Sequence, residues 1–90
     1  LAQKEQEQDL DLAVDKSIDH TLLLVNDEHN TFDFVIVTIM DILGYDELRA
    51  EQVTLLAHFN GKAKLKKGSK NLLTEYSGKF GKEGITTVVD

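Results

Sequence analysis

The chain has 90 residues with a formal charge of −6, and 41% apolar and 29% charged residues place it in the globular range, so one small domain with one core is expected rather than a disordered, collagen-like or coiled-coil chain. It contains no cysteine, which removes disulfides, thiolate zinc sites, redox motifs and thiol nucleophiles together. The least charged stretch, Phe34 to Met40, is too short to span a bilayer and no basic start leads into an apolar run, which predicts a soluble, unsecreted protein.

Residues 1–20 set Glu5, Glu7, Asp9, Asp11, Asp15 and Asp19 against Lys4 and Lys16. With so little apolar surface to offset its ordering entropy, this segment reads as a flexible acidic N-terminal extension ahead of a domain over residues 21–90. Thr21 to Val25 is a short apolar run ended by Asn26-Asp27, the pattern of a buried strand entering a turn. Asn30 is expected to N-cap a helix with Asp33 at its third position, where the macrodipole favours negative charge. The β-branched run that follows has strand propensity. Its length from Asp33 to Leu43, and a Gly44 placed where a helix end needs a left-handed residue, nevertheless predict a helix.

Asp46 is expected to cap a second helix, Glu47 to Phe59, with Leu48, Val53, Leu56 and Phe59 as its apolar face, broadened by Leu55 and Ala57, and Asn60-Gly61 as its stop. Lys62 to Lys66 alternates lysine with Ala63 and Leu65, a half-buried strand with lysines outward. Gly68-Ser69 opens a short third helix through Leu72, Leu73, Tyr76 and Phe80, and Gly84 precedes a final strand, Ile85 to Val89. The order β-α-α-β-α-β predicts an α+β fold, a small mixed or antiparallel sheet covered on one face by helices.

Most chemistry is excluded by spacing. His20, His29 and His58 form no metal-ligand pattern, and Ser17, Ser69 and Ser77 lie in no nucleophile-elbow context. Gly78-Lys79-Phe80-Gly81 lacks the Gly-Lys-Ser/Thr ending of a phosphate loop. No metal, cofactor or catalytic activity is therefore expected. Seven lysines between residues 61 and 82 face Glu75 alone, but without arginine or interleaved aromatics they read as a solvated face or a docking patch for an acidic protein, ahead of a nucleic-acid surface. What remains is Asn26-Asp27-Glu28-His29-Asn30 at a strand end and helix mouth. Two readings stand: a polar turn that only caps the helix, which is the simpler, and an acceptor-rich rim suited to a small ammonium group. His58, beside Ala57 near the second helix's end, is either a structural imidazole or a ligand-binding one.

These residues resemble the ClpS family, adaptors that deliver substrates with destabilising N-terminal residues to a Clp-type AAA+ unfoldase. The resemblance runs from Thr21 to Ala63 through LVNDEHNTFDFV, GYDELRAEQ and AHFNGKA, and resumes from Ile85 to Asp90. It implies a three-stranded antiparallel sheet packed against three helices. It also implies that Asn26, Asp27 and His58 hold a substrate's α-ammonium group, that Glu28 and Asn30 form the rim, and that Phe32, Val35, Thr54, Ala57 and Ile85 wall an apolar pocket for a bulky first side chain. The implied partners are N-degron substrates and the N-terminal domain of a ClpA- or ClpC-like unfoldase, with no nucleic acid, membrane or cofactor, for a monomer in the bacterial cytoplasm or, alternatively, a plastid stroma. Departures from the family pattern are Thr54 where a Met commonly gates the pocket, Phe32 for a Met-like residue, His29 for Tyr, Thr31 for Pro, and a shortened third-helix region. The alternative is a ClpS-like interaction domain that docks on an unfoldase or another assembly without binding degrons.

Overall fold

The computed structural model describes residues 20–90. The expected acidic extension lies outside the described residues, apart from His20, which opens the first strand. The elements are β1 (His20–Val25), α1 (Phe32–Leu43), α2 (Glu47–Asn60), β2 (Lys62–Gly68), α3 (Lys70–Lys82) and β3 (Thr87–Val89). The strands form one sheet in the order β2-β1-β3, both pairs antiparallel, so the first strand is central. This is the α+β arrangement expected, with the sheet now resolved as antiparallel.

The sheet's period-two pattern decides which face is covered. Leu22 and Leu24 of β1 and Ala63 and Leu65 of β2 are buried among the helices, while Lys62 and Lys64 stand exposed on the other face. Between β1 and β2 the register slips at Leu22/Leu23, where Lys66 pairs with Leu22 and Lys64 with Leu23, leaving Leu65 as the extra residue of a bulge. Phe80 and Leu73 of α3, Ile39 of α1 and Ile85 complete the core with Leu22, all essentially inaccessible to solvent. Each such side chain contributes about 1.5–3 kcal/mol through burial.

α1 forms despite the strand propensity of its β-branched run because Val35, Thr38 and Ile39 fall on one buried stripe against α2. Gly44 ends it in the left-handed conformation expected, φ 73°, its N–H bonded to the Met40 carbonyl. Its N-cap is not Asn30 but Thr31, whose hydroxyl accepts from the Phe34 N–H at 3.1 Å. The Asn30 side chain is engaged elsewhere, as described below.

The second helix keeps its expected bounds within a residue, with Asp46 as cap, but turns a different face inward. Ala50, Val53, Thr54 and Ala57 are buried, whereas Leu48 is 63% exposed, Phe59 76%, and Leu56 also lies open. Small residues let α2 approach the sheet and α1 closely, so the large apolar residues are carried on the outer side. The last strand is likewise shorter than expected. Ile85 stays out of β3 because its N–H bonds the Phe80 carbonyl, closing the end of α3, and its side chain enters the core.

Candidate functional site

The end of the central strand brings three distant segments together. The Val25 N–H donates to the Thr86 carbonyl on one side, and the Asn26 N–H to the Gly61 carbonyl, 2.9 Å, on the other. Gly61 in turn donates to the Ala57 carbonyl and stops α2. Asn26 and Asp27 therefore leave the sheet between the last turn of α2, which carries His58, and the chain entering β3, which carries Ile85.

Asp27 organises the turn that follows. Its Oδ1 accepts from the His29 N–H at 2.6 Å and the Asn30 N–H at 2.9 Å, and its Oδ2 accepts from Asn30 Nδ2 at 2.7 Å. Partial burial pushes the carboxyl up, but the Asn30 amide, the Asn30 side chain, the His29 amide and the His29 ring together outweigh it and hold the acid below the ordinary value of 3.8. The carboxylate is thus ionised and oriented, with acceptor capacity left for an incoming cation.

Beside this polar end lies a cavity walled by Phe32 and Val35 of α1, Thr54 and Ala57 of α2, and Ile85, with Leu24 and Val25 of β1 also lining it. Asn26, Asp27, Asn30 and His58 share the same lining. Thr54 is only 5% exposed and its hydroxyl donates to the Ala50 carbonyl of its own helix, so it adds no free donor to the wall. Phe32, 41% exposed, meets the His58 ring edge-on with centroids 5.2 Å apart, and His58 meets Phe59 in the same manner at 5.1 Å. The space accommodates the centre of a water-sized sphere over about 20 Å³. That is enough for roughly one water, so a bulky side chain enters only if a wall residue moves.

Of the residues singled out in the sequence, Asn26, Asp27, Asn30, Phe32, Val35, Thr54, Ala57, His58 and Ile85 converge on this cavity. Glu28 is exposed and stands outside the lining. Leu24 and Val25 were legible only as strand; their place directly before Asn26 was the signal that they would floor the same site. Among the described residues no three His, Asp or Glu side chains gather into a metal-binding group, and no helix is long and apolar enough to cross a membrane.

The family model of the ATP-dependent Clp protease adaptor protein ClpS matches residues 15–82. The chain belongs to the ClpS family. Among its relatives are the ATP-dependent Clp protease adapter proteins ClpS of Escherichia coli and Citrobacter koseri, each 39% identical over 44 residues. Those matches span 49% of this chain and 42% of the relative, so the chain covers less than half of their length. Agrobacterium tumefaciens ClpS2 bound to L-phenylalaninamide shares the fold with a TM-score of 0.74 at 19% identity, over 79% of this chain and 93% of that one. This ClpS-family chain is thus a member of an adaptor family, whose role lies in Clp proteolysis.

Proposed function

We propose that this ClpS-family chain binds the free N-terminus of a polypeptide that begins with a bulky apolar residue and hands it to a Clp-family AAA+ unfoldase, without catalysing a reaction itself. The observation that carries the reading is that Asn26, Asp27 and His58 share the lining of one cavity with the apolar Phe32, Val35, Ala57 and Ile85. An α-ammonium group presents three protons and a positive charge. The ionised Asp27 attracts the charge, and the Asn26 oxygen and a His58 ring nitrogen supply further acceptors. An acylated or internal amide nitrogen has one proton and no charge, and would leave these acceptors unmatched. The first side chain would enter between Phe32, Thr54 and Ile85 as a wall residue moves aside, and burial of a Phe or Leu there contributes on the order of 1.5–3 kcal/mol. That a ClpS2 of the same fold was solved with L-phenylalaninamide, a free amine beside an aromatic side chain, supports the same division of labour.

Asn26, Asp27 and His58 are accordingly assigned to the amine, and Phe32, Val35, Thr54, Ala57 and Ile85 to the side chain, with Glu28 and Asn30 flanking them. The expected partner is the N-terminal domain of a ClpA- or ClpC-like unfoldase, met by the chain as a monomer in the bacterial cytoplasm. The test is fluorescence anisotropy with a labelled ten-residue peptide beginning with Phe, its acetylated twin, and an Asp27→Ala chain. Binding should vanish on acetylation, and Asp27→Ala should weaken it by roughly 10- to 100-fold, the scale of a hydrogen bond to a charged group. Equal binding of the free and acetylated peptides would overturn the reading.

A further inference from the structure

We propose that Asn30 is a positioning residue that locks the amine-binding carboxylate to the apolar wall, and so couples recognition of the first residue's amine to recognition of its side chain. The inference deepens the proposed function and rests on it. The Asn30 amide nitrogen donates to Asp27 Oδ2 at 2.7 Å and to the Gly84 carbonyl at 3.0 Å. Both partners are pure acceptors, so only the orientation with the NH2 group between them satisfies the pair, and both of its protons are engaged. Asn30 therefore has no side-chain donor left for a peptide, and only its carbonyl oxygen can meet a ligand. Its backbone N–H bonds the other oxygen of the same carboxylate, so Asn30 supplies two of the three donors that orient Asp27.

The Gly84 end of this bridge directly precedes a residue of the cavity wall, Ile85. Gly84 takes a φ of 79°, inside the left-handed region, and its N–H bonds the Gly81 carbonyl. The next residue, Ile85, is 2% exposed and faces the cavity, while its N–H bonds the Phe80 carbonyl at the end of α3. One side chain thus ties together the turn after β1 and the turn after α3, which lie 54 residues apart in sequence. The separation between the ammonium site and the far wall is set by this bridge on one side of Ile85 and by the Val25 N–H to Thr86 carbonyl bond on the other. A terminal residue satisfies both ends only if the reach of its side chain matches that separation, which makes Asn30, itself part of the lining, a determinant of first-residue preference through the spacing it fixes.

The experiment compares the wild-type chain with Asn30→Ala and Asn30→Asp, the latter keeping the size while losing both donors. Affinities are measured for peptides beginning with Phe, Leu and Ala. In parallel, the Asp27 carboxyl carbon is titrated and the Ile85 methyl resonances are followed by NMR in the absence of peptide. Asn30→Ala should weaken the Phe peptide about tenfold. It should also narrow the preference for Phe over Ala, move the Asp27 titration upward and shift the Ile85 methyls. An Asp27 titration and Ile85 methyls unchanged from wild type would overturn the proposal, whatever the affinity does. Failure of every peptide to bind the wild-type chain would overturn the function, and with it the coupling, while the two NMR readouts would still report whether the bridge exists. If the alanine chain does not fold, Asn30→Asp carries the Ile85 methyl readout, because its added carboxylate beside Asp27 would by itself raise the Asp27 titration.

Discussion

The two ends of the cavity are built on different principles. At the polar end the turn is held by directed bonds: three donors converge on Asp27, and the strand end is fastened to Gly61 and Thr86 on either side. At the apolar end shape does the work. Small residues, Thr54 and Ala57, leave the space, Ile85 closes it from behind, and the Phe32 ring lies against His58 across its mouth. Hydrogen bonds are lost steeply with misalignment, whereas an apolar wall can adjust by rotating a side chain. One end should therefore discriminate sharply and the other by degree.

That contrast can be broken from the back of the cavity outward. Ile85→Ala removes a fully buried side chain and should cost about 2–5 kcal/mol in urea unfolding while flattening the preference among Phe, Leu and Ala peptides. A loss restricted to stability, with the preference intact, would mean that Ile85 serves the core alone. Phe32→Ala is expected to alter stability by less than about 1 kcal/mol, because the ring is partly exposed. It should open the cavity and change the ratio of Trp- to Leu-peptide affinity by about 10-fold, the scale of a pocket change of one or two carbons. An unchanged ratio would assign the closure to another wall.

The smallest effect should be the one that sharpens the polar end. Asp27 has a folded-state pKa below its ordinary value, so the ionised form is favoured by folding. The stability it contributes is complete above the ordinary value of 3.8 and is lost as the pH falls through the lower folded value. The difference in urea midpoint between wild type and Asp27→Asn should accordingly be constant from neutral pH to about 5 and shrink only in stronger acid. A difference that declines already above pH 5 would show that the carboxylate is not held by its three donors.

Much of this could be read along the chain, because most elements announce their own ends. Gly44 in the left-handed conformation, the Asp46 cap, the lysine alternation of β2 and the Ser69 cap are local devices, each decided by a few neighbouring residues. Of the candidate site, only the polar cluster at a strand end and the histidine at a helix end are local features; read by themselves they leave a capping turn and an ammonium rim both open, and the apolar walls follow from the family resemblance alone. What misled was every feature settled at a distance. Asn30 looks like a helix cap, yet its amide is drawn to Gly84 and Thr31 takes the cap. Leu48, Leu56 and Phe59 look like the core face of α2, yet close packing against the sheet admits Ala50, Thr54 and Ala57 instead.

By itself the sequence determined the order of the elements, most of their boundaries and the identity of the polar groups at the cavity mouth, since caps, turns and alternation act within a few residues of where they are written. The tertiary structure alone decided which face of α2 is buried, that Ile85 closes a helix rather than extending a strand, and that Asn30 joins two turns. Those outcomes depend on which surfaces meet, and on the competition for each donor and each buried volume that arises only once they have met.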